Sequence, residues 1–367
     1  GTGASYQSAG CTRPTTGESV SVTTSGWVYH NNDGTCSVTG NASISFPNWG
    51  WSGTITASAN LPQIPRASGV ACSSPYIGDN AVISIDKKAS SFTSRVTYKI
   101  KNLVGNIEDK TSETTIQFKT SEIEDKIYAL IPDAKEIKGN ILCTTYNGDT
   151  QIGDTQATEF NLYAKESVCK PDVTATVIIT GNNTKFVKYI SKPKVTISAT
   201  AKKSATIKNY SINLNDGQAS NLQENTFDTI GSNKVSVSVT DSRNYSNSAD
   251  VTLDMIDYIK LHINTISITR PEGTSNEAVL NCNGAYYNGS FTDTKANSLS
   301  GSFKYRKSGT TDWTDGGSIT ATITDNTFRV SNLLLGSSFA YDEEYQFQIS
   351  FEDVFVIATE AVTLPKG

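Results

Sequence analysis

His30 and His262 are the two imidazoles in 367 residues, so acid–base or metal chemistry would fall mainly to carboxylates and thiols. Neither histidine sits in a metalloprotease-type pair, and the chain has no nucleophile-elbow or phosphate-loop pattern. His30 precedes a turn and His262 opens a strand, both positions that suit a structural hydrogen bond. A glycosidase needs only two acids flanking a cleft. The densest acidic run is Asp342-Glu343-Glu344, and consecutive acids in a loop form a solvated rim. Asn213…Asp216-Gly217 and Asn147-Gly148-Asp149 lack the alternating acidic ligands of a calcium loop, and turn chemistry accounts for them. The six cysteines, at 11, 36, 72, 143, 169 and 282, stand singly with no Cys-x-x-Cys and no nearby histidine to complete a zinc site. No cofactor, no metal and no enzymatic activity are expected.

Two groups of residues point to binding. Trp49 and Trp51 lie two apart in Phe46-Pro47-Asn48-Trp49-Gly50-Trp51, so an extended backbone would turn both rings to one side. With Trp27 and Tyr29 they form a candidate glycan platform, because flat rings stack on sugar faces; the rival reading buries one tryptophan in a sandwich core. Tyr286-Tyr287-Asn288-Gly289 with Trp313 is a second candidate of the same kind. Between Val173 and Asn215, Lys185, Lys188, Lys192, Lys194, Lys202, Lys203 and Lys208 occur without a single Asp or Glu. Such a run either guards exposed strand edges against sheet-to-sheet pairing or meets an acidic partner, a neighbouring subunit or phosphate-rich teichoic acid.

The elements that must carry these residues are strands. From Lys234, Val235, Val237 and Val239 alternate with Ser236, Ser238 and Thr240, then the chain breaks at Asp241-Ser242-Arg243-Asn244. This period of two marks a half-buried strand and the polar cluster marks a turn. The pattern occurs earlier at Ile141–Tyr146, before Asn147-Gly148-Asp149, and later at Tyr345, Phe347, Ile349 and Phe351, before Glu352-Asp353. A spacing near 100 residues is that of one small β-sandwich. No long helical period interrupts it; only 122–130 reads as a helical turn.

Composition agrees. Hydrophobic residues make up 37% and charged residues 18%, with Ser, Thr, Asn and Gly filling much of the rest. A net charge of −5 argues against nucleic acid, which asks for a basic face. No apolar run approaches the roughly 20 residues of a membrane helix. The start, Gly1-Thr2-Gly3-Ala4-Ser5, reads as a processed or trimmed end. A bridge from Cys11 to Cys36 or Cys72 stays open, but the spacing shows no disulfide framework and points to folding in a reducing cytosol.

The fold class is therefore all-β: tandem Ig-like or fibronectin-III-like sandwiches joined by short Pro-containing linkers. Residues 1–60 read as an N-terminal sandwich with an extended arm, with strands at Ser19–Thr24, Gly26–His30, Cys36–Phe46 and Trp51–Ser58. Residues 61–68 are a stiff connector, in which Pro62 and Pro65 block helix and central strand and Leu61 and Ile64 are expected to dock on a neighbour. Three Ig-like modules follow at 69–168, 169–260 and 261–367.

The combination of His30-Asn31-Asn32-Asp33-Gly34, Leu61-Pro62-Gln63-Ile64-Pro65-Arg66-Ala67-Ser68, Ala205-Thr206-Ile207-Lys208-Asn209-Tyr210 and Val239-Thr240-Asp241-Ser242-Arg243 resembles siphophage minor structural proteins. These are tail-associated proteins of phages that infect Gram-positive bacteria. The resemblance runs from about residue 26 onward, with the connector octapeptide its most specific part. Asn244 and Ser204 stand where that family usually has glycine, and the chain begins partway through the family's first domain. The resemblance implies a structural protein of the virion tail, at the tip, baseplate or fibre, assembled in the host cytoplasm and engaging the host surface. Implied partners are other tail proteins, further copies in a homo-oligomer, and host wall polysaccharide or teichoic acid, with no membrane span. The alternatives are a bacterial adhesin of Ig-like repeats and a polysaccharide-degrading tail enzyme.

Overall fold

The computed structural model describes residues 28–31, 34–46, 51–180, 185–272, 274–292 and 295–367. The chain divides into two compact units, one comprising 1–169 with 202–205, the other 170–201 with 206–367. The expected strand at 19–24 lies outside the described residues, and 28–30 are not strand.

The first unit opens with a hairpin, β1 (Cys36–Phe46) and β2 (Trp51–Leu61), which forms its own two-stranded sheet. Among the described residues of 28–61 it is a two-stranded ribbon, and the rest of the sandwich expected over 1–60 falls largely on residues outside the described ones. Thr39 Oγ1 lies 2.9 Å from Ser58 Oγ, and Thr56 donates to Asn41 Oδ1 at 2.8 Å, so the polar members of each pair bond across one face. At the base, Gly34 has φ +85°, and its carbonyl accepts the Ile64 N–H at 2.9 Å. Ile64 holds the connector through this backbone bond; its side chain is 55% exposed and does not dock as expected.

The module that follows contains β3 (Gly69–Cys72), β4 (Asn80–Asp86), β5 (Thr93–Ile100), β6 (Leu103–Thr111), β7 (Thr115–Lys119), β8 (Glu136–Asn147) and β9 (Thr150–Tyr163). Its sheets run β3-β4-β7 and β6-β5-β8-β9, the strand order of a seven-stranded fibronectin-type sandwich. A 3-10 turn at Thr120–Ile123 and α1 (Glu124–Ala129) fill the expected helical position, burying Ile127 and Tyr128. A second short helix, α2 (Glu166–Cys169), closes the unit.

In the second unit the third module repeats the plan. Its strands are β10 (Asp172–Thr180), β11 (Phe186–Val187), β12 (Lys192–Thr200), β13 (Ile207–Asn213), β14 (Ala219–Ser220), β15 (Glu224–Thr226), β16 (Lys234–Asp241), β17 (Ser246–Thr252) and β18 (Met255–Ile256). The sheets are β10-β12-β15 and β14-β13-β16-β17, with a parallel β11-β18 bridge at one end. The fourth module has β19 (His262–Thr269), β20 (Ala278–Ala285), β21 (Ser290–Thr292), β22 (Lys295–Ala296), β23 (Ser300–Lys307), β24 (Thr314–Ile319), β25 (Thr322–Thr324), β26 (Thr327–Gly336), β27 (Tyr345–Glu352) and β28 (Ile357–Leu364). Its main sheets are β19-β20-β26-β25 and β24-β23-β27-β28.

The repeat visible in the sequence is one structural position. β8, β16 and β27 each lie third in a four-stranded sheet, paired on both sides, and their apolar residues face the core. Central position explains the clean alternation, since one face packs on the opposite sheet. The two positions where glycine would be usual, Ser204 and Asn244, have φ of +65° and +63°. Both keep the left-handed backbone that glycine would supply.

Candidate functional site

Tyr29 of the glycan platform is 71% exposed. Trp51 opens β2, in register with Phe46, while Trp27 and Trp49 lie outside the described residues. The structure thus places two of the four residues and does not show them together. The second aromatic candidate is corrected. Tyr286 is buried in the core of the fourth module and Tyr287 is half-buried against Tyr258 and Phe291, so neither ring offers a stacking surface. Trp313 is occupied as well, with the Arg306 guanidinium 4.5 Å from its ring centre.

The lysine run meets carboxylates from distant parts of the chain. Lys188 lies 2.7 Å from Asp257, Lys194 2.8 Å from Glu224, Lys192 3.6 Å from Asp228 and Lys185 3.7 Å from Asp254. Lys203, within the first unit, lies 3.0 Å from both Glu124 and Asp125, with its ammonium over the Tyr128 ring. Lys208 reaches the Asn244 side chain at 3.4 Å, and Lys202 begins the turn closed by Ala205 N–H. The run is less positive in space than in sequence. Lys188 and Asp257 also border an open cleft of about 520 Å³, together with Asn215, Ser232, Asn233 and Met255. Its polar walls are largely self-satisfied: Asn215 Nδ2 donates to Lys234 O and Ser236 Oγ, and the neighbouring Gly231 N–H is held by Asp216 Oδ2 at 2.6 Å.

The possible catalytic groups have structural partners too. His30 Nδ1 is 2.7 Å from Gly34 O and His262 Nδ1 is 2.9 Å from Lys260 O. Glu343 pairs with Lys307 at 2.8 Å, a bond that holds its carboxyl below the usual range, and Glu344 accepts from Ser308 Oγ at 2.7 Å. Among the described residues, no group of three or more His, Cys, Asp or Glu is placed to hold a metal ion. Cys36, Cys72, Cys143, Cys169 and Cys282 are free thiols, while Cys11, the other end of either candidate bridge, lies outside the described residues. Burial raises the Cys143 thiol and pushes Cys282 up to about 11, away from reactive thiolate.

The most elaborate polar constellation went unrecognised in the sequence: it joins the third module to the fourth inside the second unit. Asp353, 6% exposed, sits in the β27–β28 turn. Its Oδ1 accepts the N–H groups of Phe355 and Val356 at 2.8 Å each; its Oδ2 accepts Tyr258 Oη at 2.8 Å and Asn297 Nδ2 at 3.2 Å. Tyr258 follows β18, so this hydroxyl ties the exit of one module to a turn of the next. Burial, then Asp353 itself, raise the Tyr258 phenol well above its ordinary range, which keeps it a neutral donor. Around the bond pack Val187, Phe291, Tyr287 and Phe355, with ring centres of Phe291 and Phe355 4.6 Å apart. Asp353 had been visible only as a bend residue; the signal was an Asp directly before the apolar run Val354-Phe355-Val356, an invitation to an Asx turn.

The corresponding turn of the third module also opens on a buried aspartate. Asp241 Oδ1 accepts the Tyr245 N–H at 2.8 Å, and its carbonyl accepts Asn244 N–H at 3.0 Å. Arg243, in the same turn, is 1% exposed. The Thr240-Asp241-Ser242-Arg243 signature therefore shapes the fold. Arg270 plays a comparable part in the fourth module, donating to the carbonyls of Ser275, Phe339, Ala340, Glu343 and Pro365.

Strand order and these turn anchors define a multi-module β-sandwich protein whose buried turn aspartates and Arg270 serve architecture. Its family follows from comparison: residues 18–366 match the model of a siphovirus protein of unknown function (DUF859), and the chain belongs to that family. No curated protein matches the chain. Among solved structures, the Dpr2 Ig1-Ig2 complex with DIP-Theta Ig1-Ig3 aligns over 81% of this chain and 99% of its own, at 10% identity and a TM-score of 0.29. The chicken CNTN1 FN1-FN3 domains align over 82% and 99%, at 8% identity and a TM-score of 0.23. The sandwich assignment rests on the strand order described above.

Proposed function

We propose that this siphovirus protein is a structural component of the virion tail, at the tip, baseplate or fibre, and contributes to attachment to the host surface. The observation that carries the reading is the Tyr258–Asp353 joint. Buried hydrogen-bonding capacity, which an enzyme would direct into a cleft, is used here to fix one sandwich to the next. Such a chain sets the positions of surface loops and suits a part that holds binding surfaces in place. Fold alone would not select this role, because sandwiches host many functions; membership of a siphovirus family supplies the setting. Its partners are other tail proteins and further copies of itself, and its ligands are wall polysaccharide or teichoic acid, with Tyr29 and Trp51 as contact residues; nucleic acid is not a partner. It acts without catalysis or cofactor.

The test is a reconstruction of the phage particle with density for this chain assigned. Copies arranged with tail symmetry are expected. Absence of the chain from purified particles overturns the reading, and release of sugar from host walls by the purified chain overturns the non-catalytic part.

A further inference from the structure

We propose that the β1–β2 hairpin is a self-association element, its apolar face covered by the same face of other copies of this chain. The proposal rests on the homo-oligomer of the preceding reading and names the surface that forms it.

The register is uninterrupted from Cys36↔Leu61 to Phe46↔Trp51. With a side-chain period of two, the serines, threonines and asparagines that bond across the hairpin fall on one face. Val38 opposite Ala59, Gly40 opposite Ala57 and position 42 opposite Ile55 then fall on the other. That second face is open: Gly40, Ala57 and Ala59 are exposed, and Ile55 is 61% exposed. A two-stranded ribbon gains little stability in water unless something packs on it.

The edges are equally bare. From Cys36 to Leu61 the sequence holds no Asp, Glu, Lys, Arg or His. Of the longer edge strands elsewhere, β10 is uncharged after Asp172, and several others carry the usual protections against pairing. β6 has Glu108, Asp109 and Lys110 together with register shifts, β9 has Asp154 and Glu159, β17 has Asp250, and β19 has a register shift at Ile263/Thr265. Among the described residues the hairpin is the longest strand pair with an unbroken register and no charged residue.

Those features select a copy of the same chain over a foreign partner. A foreign partner is usually selected and steered by complementary charge, and the hairpin offers none. In a symmetric interface each residue meets its own duplicate or a near neighbour, so a charge would face a like charge, whereas Gly, Ala, Val and Ile face their equals without penalty. Size sets the strength. Strands of 11 residues give a face about 37 Å long and about 10 Å wide. Two such faces cover roughly 700 Å², below the roughly 1,200 Å² of a stable specific interface, so a simple pair is weak and a closed ring of faces is stronger.

Sedimentation velocity of the whole chain from about 1 to about 100 µM tests this. The wild type is expected to associate as concentration rises. The doubly substituted I55K/A57K and I55E/A57E chains are each expected to associate at least about tenfold more weakly, through like-charge repulsion. Both sites are exposed, and unchanged far-ultraviolet dichroism and melting confirm that each variant folds. Mixing the two variants in equal amounts is expected to restore association. Variants that associate like the wild type overturn the surface assignment and leave the homo-oligomer standing, as does a mixture that stays monomeric. A wild type that stays monomeric throughout overturns both.

Discussion

The β1–β2 hairpin and the fourth module are built from the same alternating pattern, yet they end in opposite states. In β27, Phe347, Ile349 and Phe351 are buried because the facing sheet supplies Leu280, Cys282 and Phe328, and the tilted rings of Phe328 and Phe351 pack with centres 4.4 Å apart. In β2, Ile55 and Ala57 alternate just as regularly and lie open. Alternation therefore fixes which side chains share a face, while the presence of a second layer decides whether that face is worth anything to the isolated chain.

The contrast can be broken at several places. The largest effect is expected from F347A, which empties a fully enclosed site where aromatic truncation costs about 3–5 kcal/mol, whereas I55A in dilute protein should cost under about 0.5 kcal/mol. Chemical denaturation monitored by tyrosine fluorescence separates the two; similar costs would mean that the hairpin face is covered within a single chain. Next is D353A, which strands the Tyr258 hydroxyl and two backbone N–H groups in a buried place, at about 3 kcal/mol; Y258F should cost about 1 kcal/mol. A smaller effect concerns the lone thiol on β20. Its folded pKa, pushed up to about 11 by burial, lies above the ordinary 9.0. The folded state therefore favours the protonated form, and this contribution is complete below pH 9 and fades as pH rises from there through about 11. Maleimide labelling of Cys282 at pH 8 should be blocked in the native chain and rapid after denaturation. The smallest effect is K194A. Its partner Glu224 is solvent-exposed, held below the usual carboxylate range first by Lys194 and then by Thr196, and no resolvable shift in unfolding midpoint is expected.

How much was legible follows the same division. β16 and β27 could be read because each packs one face and shows the other, and the helical turn at 122–130 because nothing there alternates. β6 could not: at a sheet edge, Val104-Gly105-Asn106-Ile107 answers to a single neighbour, and Gly105 is set by the Tyr98 ring lying over it. The missing acids of the lysine run were invisible because Glu224, Asp228, Asp254 and Asp257 come from later strands and loops. The joint was invisible for the same reason. Tyr258 and Phe355 sit in loops, Tyr287 just before the three-residue β21 and Phe291 within it, too short a strand for a period to announce them, and only folding brings the other three rings within 6.1 Å of Tyr258. Of the glycan platform, the chain order gave residue types, but shared orientation is a property of the backbone between them.

The joint also has a mechanical side. Because Tyr258 and Asp353 bond at 2.8 Å inside a jacket of rings, swivelling the last sandwich against its predecessor would first have to wet that jacket and break a buried bond. Turning one sandwich against the other is therefore opposed at this joint, by one buried bond and the rings around it.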